Sequence, residues 1–221
     1  KTLVNKLSIT FVIEEGDKWF LDDIYIEGNT IFSDEDFKKV ITLKPGSVLD
    51  VTKVQTDISN IADLYWNEGY VENNIDIKEN RDDQKKTVAY TVNITERGQA
   101  VVENVIIKGL VKTKEYVLLR ELALNPGDIF SKKKYIQSAQ NLYNTGLLTD
   151  VVPSITYGTK ENSLVVTYTV TEGNQMNIGF GATFGGNVEG FPVSGFLSWE
   201  DSNLGGTGRD LNVSTELSPS S

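Results

Sequence analysis

The chain repeats itself, and the repeat limits its folds more than any other feature. Alternating Leu7, Ile9, Phe11 and Ile13 lead into Glu15 and Gly16. Val88, Tyr90, Val92 and Ile94 lead into Glu96, Arg97 and Gly98, and Leu164, Val166, Tyr168 and Val170 into Glu172 and Gly173. A period of two marks strands that bury one face. The segments downstream of the first two endings also match. DDIYIEGN (residues 22–29) pairs with ENVIIKGL (103–110), LKPG (43–46) with LNPG (124–127), and ISNIADLYWNEGY (58–70) with IQSAQNLYNTGLL (136–148). The offset between copies falls from 81 (Gly28 to Gly109) to 78 in the second helix (Ile58 to Ile136). It is 77 at the next glycine (Gly69 to Gly146) and 76 at the closing glutamate (Glu96 to Glu172). Small deletions in loops are the expected cause.

Within one copy the order is strand, helix, helix, strand, strand. Residues 23–27 form a short strand closed by Gly28. Ser33 followed by Asp34, Glu35 and Asp36 reads as a helix cap with acids at the positive end of the dipole. Phe37, Val40 and Ile41 supply its apolar stripe, and Pro45-Gly46 ends it. In the second helix Val54, Ile58, Ile61, Leu64 and Tyr65 share one face, as do Ile136, Ala139, Leu142 and Tyr143 in the other copy. Asn67-Glu68-Gly69 stops the helix; a strand over 71–78, a charged turn over 80–86 and a strand over 87–96 complete the unit. A helix pair over a small sheet is a viable two-layer domain of about 80 residues. Trp66 and Tyr70, just after the amphipathic stripe, are expected to seal the core.

The second copy marks a sheet edge. Its second strand, over 151–157, contains Pro153, which donates nothing to a ladder. The equivalent strand carries Asn73, Asn74, Asp76, Lys78 and Glu79, and such charges blunt an exposed edge. Either these edges are merely tolerated, or they pair with an incoming strand. The candidate binding residues are Asn74, Ile75, Asp76, Ile77 and Lys78 in the first copy, and Val152, Ser154 and Ile155 in the second.

After Gly173 a new repeat should begin, but the chain reads NIGFGATFGG instead. Ile178, Phe180, Ala182 and Phe184 alternate with Gly179, Gly181 and Thr183. A second segment spans 193–200, SNLGGTG makes a turn, and a third segment sets Leu211, Val213, Thr215 and Leu217 against Asp210, Asn212, Ser214 and Glu216. Segments of about ten residues that alternate this way are the pattern of transmembrane β-barrel strands. Three strands cannot close a barrel, so with their edges open, residues 177–217 are expected to associate between molecules.

Tandem strand–helix–helix–strand–strand units with Gly after the first strand, a P-G turn and LY…G after the second helix resemble POTRA domains. Followed by glycine-alternating strands and SWEDSNLGGTGRDL (residues 198–211), the chain is similar to the outer-membrane assembly barrel family, BamA- and TamA-like. The resemblance implies an α+β chain: tandem POTRA repeats, then the first antiparallel strands of a truncated transmembrane β-barrel. Residues 1–15 would be the last strand of a preceding POTRA, 16–97 one POTRA, 98–173 the last POTRA, and 174–221 the first barrel strands. It implies a non-enzymatic assembly factor in the outer membrane of a diderm bacterium, with POTRA domains in the periplasm. These would receive unfolded outer-membrane proteins and dock accessory periplasmic lipoproteins, while the barrel contacts lipid and assists insertion. The first barrel strand, with Asn177, Ile178, Gly179, Phe180 and Gly181, would be the seam at which such barrels open, its glycines offering little packing. Rivals within the superfamily are a two-partner secretion transporter, which usually has two POTRAs, and a TamA-like translocation factor.

Composition narrows the chemistry. Acidic residues outnumber basic ones 31 to 21, which disfavours a nucleic-acid partner. With no cysteine and no histidine, thiolate or imidazole catalysis within this chain is excluded. The paired acids Glu14-Glu15, Asp22-Asp23 and Asp82-Asp83 do not converge, because adjacent strand residues point to opposite faces. No calcium-loop pattern occurs, no cofactor is expected, and Asn93-Ile94-Thr95 reads as a chance glycosylation sequon. There is no run of 18 apolar residues and no leader-like start, so the chain reads as a fragment.

Overall fold

The computed structural model describes residues 9–12, 16–184 and 193–217. Its elements run β1 (Phe20–Glu27), α1 (Asp34–Val40), α2 (Val51–Asn67), β2 (Asn74–Asp82), β3 (Thr87–Thr95), β4 (Val101–Lys108), α3 (Glu115–Leu119), α4 (Lys132–Asn144), β5 (Leu148–Tyr157), β6 (Ser163–Glu172), β7 (Met176–Phe184), β8 (Val193–Asp201) and β9 (Leu211–Leu217). They form three three-stranded sheets, ordered β1-β3-β2, β4-β6-β5 and β7-β8-β9. In each of the first two sheets the last strand lies in the middle, parallel to the first and antiparallel to the second. The chain divides into two compact units, one of residues 1–62 and 73–96, the other of 63–72 and 97–221. Of the strand expected over residues 7–15, Ile9 to Val12 are exposed and outside any strand, and the rest lies outside the described residues.

In the first unit, Leu21, Val54, Val88 and Tyr90 are buried, with Trp19, Ile24, Leu43, Leu49 and Ile58 packed against them. Ser33 caps α1: its N–H and hydroxyl donate to the Asp36 carboxylate at 3.2 and 2.7 Å. Asp50 accepts the N–H groups of Thr52 and Lys53 at the start of α2 (3.0 and 3.2 Å). The expected charged turn over 80–86 is shorter than predicted. β2 continues through Arg81 and Asp82, paired to Val88 and Thr87, because an edge strand whose residues are mostly exposed has no dry face that charges would spoil.

The second unit buries a larger cluster, including Val102, Leu118, Leu124, Phe130, Leu142, Val166 and Tyr168. Trp66 joins it, its ring edge-on to Phe130 at 6.3 Å between centroids, and Tyr70 meets Tyr65 in the same T-shaped way at 6.3 Å. Both aromatics pack, but Trp66 does so on the cluster formed by residues 100–170, not on the core of its own repeat, and Tyr70 is half-buried against Tyr65.

The repeat is more regular than the sequence alignment suggested. Asn60 donates from its amide to the Val40 carbonyl, and Asn141, 81 residues on, donates to Glu121, 81 residues beyond Val40. Asp57, wholly buried, accepts the N–H groups of Thr42 and Leu43 (both 2.9 Å); Ser138, 81 residues later, accepts the N–H of Ala123 (2.9 Å). The offset therefore stays at 81 well into the second helix. What differs is helix length: α2 has 17 residues and α4 has 13. The deletion is one helical turn near the helix C-terminus, not small losses in loops. This corrects the predicted core face of α4. Ser138 and Leu142 are buried and Tyr135 and Ala139 pack on the core, while Ile136 and Tyr143 stand exposed.

Candidate functional site: sheet edges and the turn after β8

Each repeat sheet has two edges, and they are built differently. On the β1 side the register is irregular between Leu21 and Ile24, and the Asp23 carboxylate accepts the N–H of Ile24 at 2.8 Å. Asn104 does the same for Val105 at 2.9 Å in β4. Backbone from the helix–helix loop also covers the beginning of each: Leu21 donates to Ser47 and accepts from Gly46, and Val102 donates to Asp128 and accepts from Gly127. A bulge, a side-chain cap and a covering loop are recognised ways of closing an edge to further pairing.

β2 and β5 form the opposite edges. All the candidate residues in β2 except the half-buried Ile75 are exposed, among them Asn74, Asp76, Ile77 and Lys78. In β5, Val152 and Ser154 are exposed and Ile155 is half-buried against the core. Pro153 pairs with Tyr168 from this edge position, where its missing N–H costs least. The residues displaced from the core by the helix register, Ile136 and Tyr143, flank this strand. With Ala139, Val151 and Pro153 they line a groove of about 510 Å³ between α4 and β5. Sequence reasoning missed this groove because the 78-residue alignment placed its apolar wall inside the domain.

The strand-end glycines and glutamates that betrayed the repeat act together. Gly28 and Gly109 have φ of +82° and +96°, and a Cβ there would lie 2.2 and 2.1 Å from the carbonyl oxygens of Ile94 and Val170. Only glycine fits. Glu96 then accepts the N–H groups of Thr30 and Ile31 (2.9 and 3.0 Å), and Glu172 those of Val111, Lys112 and Thr113 (3.0, 3.0 and 2.9 Å). Burial opposes ionisation of Glu172, but these amide donors outweigh it and hold its pKa below the usual carboxylate value.

The third sheet segregates its faces. Register places Met176, Ile178 and Phe180 beside Asp201, Trp199 and Leu197, which in turn sit beside Leu211, Val213 and Thr215. Asn177, Gly179 and Gly181 share the other face with Glu200, Ser198 and Phe196 and with Asn212, Ser214 and Glu216, a face that is polar except for the glycines and Phe196. Ile178, Phe180, Leu197, Val213 and Leu217 are exposed. The glycines of β7 add no side chain of their own, but β8 side chains lie over them. A Cβ on Gly181 would lie 2.4 Å from the Phe196 ring, and one on Gly179 2.6 Å from the Ser198 hydroxyl. β7 has no partner along its other side among the described residues. No helix among them is long and apolar enough to cross a membrane, which says nothing of strands.

Two tandem β-α-α-β-β units of this topology define the class. The family model POTRA, a surface antigen variable number repeat, matches residues 20–97 and again 100–173, and the chain belongs to that family. It is 35% identical over 215 residues to a putative outer membrane protein assembly factor of Treponema pallidum, covering 96% of this chain and 26% of the relative. It is 27% identical over 208 residues to the outer membrane protein assembly factor BamA of Nitratidesulfovibrio vulgaris, covering 90% and 25%. The chain thus spans about a quarter of the length of these relatives. Among solved structures, BamA from Haemophilus ducreyi lacking POTRA domains 1–3 superposes with a TM-score of 0.74 over 90% of this chain and 37% of that one, at 19% identity. Haemophilus influenzae BamA POTRA3–5 gives 0.63 over 70% of this chain and 61% of that one, at 18% identity. At these identities the two structures share the fold.

Proposed function

We propose that the chain is part of a BamA-type outer-membrane protein assembly factor, a non-enzymatic role, with residues 16–173 in the periplasm and the third sheet at the start of a membrane barrel. The observation that carries this reading is the two-faced third sheet joined directly to the second POTRA domain. Its apolar face suits hydrocarbon and its polar face a lumen. Large exposed apolar rows are costly in water, at roughly 1.5–3 kcal/mol for each large side chain that could be buried.

In this role β2 and β5 are the surfaces for incoming unfolded outer-membrane proteins, which would add as a strand. Main-chain pairing tolerates many sequences, as a receptor for varied clients requires. β5 is the better adapted of the two, since the α4 groove beside it offers apolar seats for alternate side chains. β7, with Asn177, Ile178, Gly179, Phe180 and Gly181 along its open side, is the barrel strand that would meet a client or the closing strand. Accessory lipoproteins would dock on the same periplasmic domains.

The test is to place a photo-crosslinking amino acid at Val152 or Asp76 of the full-length protein in cells. Adducts with nascent outer-membrane proteins from an outer-membrane fraction are expected, more abundant at Val152. Recovery of the intact protein in the cytosol would overturn the location, and an outer-membrane protein without adducts at either position would overturn the edge assignment.

A further inference from the structure

The SNLGGTG turn between β8 and β9 is not a free hairpin end. Asn203 is wholly buried. Its side-chain amide donates to the Thr113 hydroxyl at 2.8 Å and to the Gln175 side-chain oxygen at 2.9 Å, and its own oxygen accepts the N–H of Gly208 at 2.7 Å. Lys112 Nζ reaches both oxygens of the buried Asp201, at 2.9 and 3.0 Å. The N–H of Lys114 donates to the Gly206 carbonyl at 2.8 Å. The approach is close enough that a Cβ on Gly206 would lie 2.0 Å from the Lys112 carbonyl oxygen, and one on Gly208 2.7 Å from Val117. Buried polar groups satisfied this completely specify one arrangement, since separating them strands several donors and acceptors at once.

The start of β7 belongs to the same cluster. The Gln175 amide also faces the Leu147 carbonyl at 3.4 Å, and its backbone carbonyl accepts the N–H of Ser202 at 2.9 Å. On the POTRA side the receiving loop is itself held by Glu172, through the N–H groups of Val111, Lys112 and Thr113.

Comparison of the two repeats isolates what is special. The loop held by Glu96 in the first copy is equivalent at the 81-residue offset, but it carries Ile31 and Phe32 where the second carries Lys112 and Thr113. Phe32 turns home onto its own helix, edge-on to Phe37 at 6.3 Å. Thus the residues that reach the third sheet are those in which the second loop departs from its copy.

We infer that Lys112, Thr113, Gln175, Asp201 and Asn203 form a clamp that fixes the β8–β9 turn and the first residues of β7 to the second POTRA domain. Domain and strand base then move as one body, and separation along the free side of β7 begins at its far end, beyond Phe180. These five are positioning residues. The clamp rests on the proposed membrane role only for that consequence, so its test reads geometry rather than client assembly.

The experiment is a distance measurement between spin labels on the full-length protein in lipid nanodiscs. Labels go at Lys160→Cys, exposed in the β5–β6 turn, and Leu204→Cys, exposed in the β8–β9 turn; this stretch has no native cysteine. One narrow distance maximum is expected. Asn203→Leu should broaden it or add a second maximum, while Lys112→Arg should leave it narrow. A milder pair, Lys112→Met with Thr113→Val, should broaden it too and guards against misfolding of the first variant; heat-dependent gel mobility verifies that each barrel is folded. A broad distribution in the native protein overturns the clamp, and so does an unchanged narrow one in a folded variant.

Discussion

Leu142→Ala and Tyr143→Ala, side by side on α4, test the helix register directly. Leu142 has no exposed surface and lies in the main cluster of the second unit, whereas Tyr143 is 57% exposed. Truncating a fully buried leucine removes its transfer free energy and leaves a cavity, at a cost of about 3 kcal/mol within a range of 2–5. Truncating an exposed tyrosine on a helix surface should stay within about 0.5–1 kcal/mol. For a domain of this size each kcal/mol moves the midpoint by roughly 4–8 °C, so Leu142→Ala should lower the melting of the second unit by roughly 12–24 °C. Tyr143→Ala should shift it by a few degrees at most. Calorimetry on the chain ending at Gly173 resolves the two variants, and the first unit's transition serves as an internal reference. A larger loss for Tyr143→Ala than for Leu142→Ala would refute the 81-residue equivalence and restore the face drawn from the 78-residue alignment.

Ile61, the first-copy equivalent of Leu142, is also fully buried; Ile61→Asp would bury an unpaired charge and should cost about 3 kcal/mol or more in urea unfolding. Gly109→Ala should destabilise more than Gly127→Ala by the same assay: both have positive φ, but only Gly109 has a carbonyl 2.1 Å from the added carbon. Glu103 accepts hydrogen bonds from the Ser163 and Thr159 hydroxyls and the Thr159 N–H, which hold its pKa at about 2 instead of the ordinary 4.5. A depressed folded-state pKa stabilises at pH above the ordinary value, and that contribution is lost as pH falls from 4.5 toward 2. Glu103→Gln should therefore flatten the acid side of the second unit's stability curve, and equal slopes for both proteins would show that these bonds contribute nothing. In detergent-free buffer, light scattering should show residues 16–217 associating with rising concentration and residues 16–173 remaining monomeric; two monomers would mean that the third sheet does not drive association.

The strand–helix–helix–strand–strand order was legible because each element carries a local signal: period two in β3 and β6, an apolar stripe in α2, glycine where φ must be positive. The Gly28/Glu96 and Gly109/Glu172 pairs stood out in the sequence, although their joint action across the sheet did not. The face of α4 was misread for a physical reason. Deleting four residues near a helix end removes about one turn and leaves the upstream face intact. Aligning on the downstream glycine then transfers that shift to positions it does not affect, and Tyr143 is matched to the buried Tyr65. Which edge of each sheet is open was half legible. Pro153 and the β2 charges marked the open side, but the caps by Asp23 and Asn104 depend on a bulge that no composition reveals. The clamp was the least visible, because Lys112, Thr113 and Asn203 look like ordinary loop residues until the fold brings them together.

The closed edge of each repeat sets its valence as a network former. A unit able to take strands on both sides has a functionality of two, and a string of such units would cross-link whatever extended chains it met. With the first half of β1 and of β4 closed by bulge, cap and loop, a repeat that takes client strands as proposed would have a valence of one. A string of such sites would hold as many strands as it has repeats, with no repeat bridging two of them, so the array would load without setting into a gel.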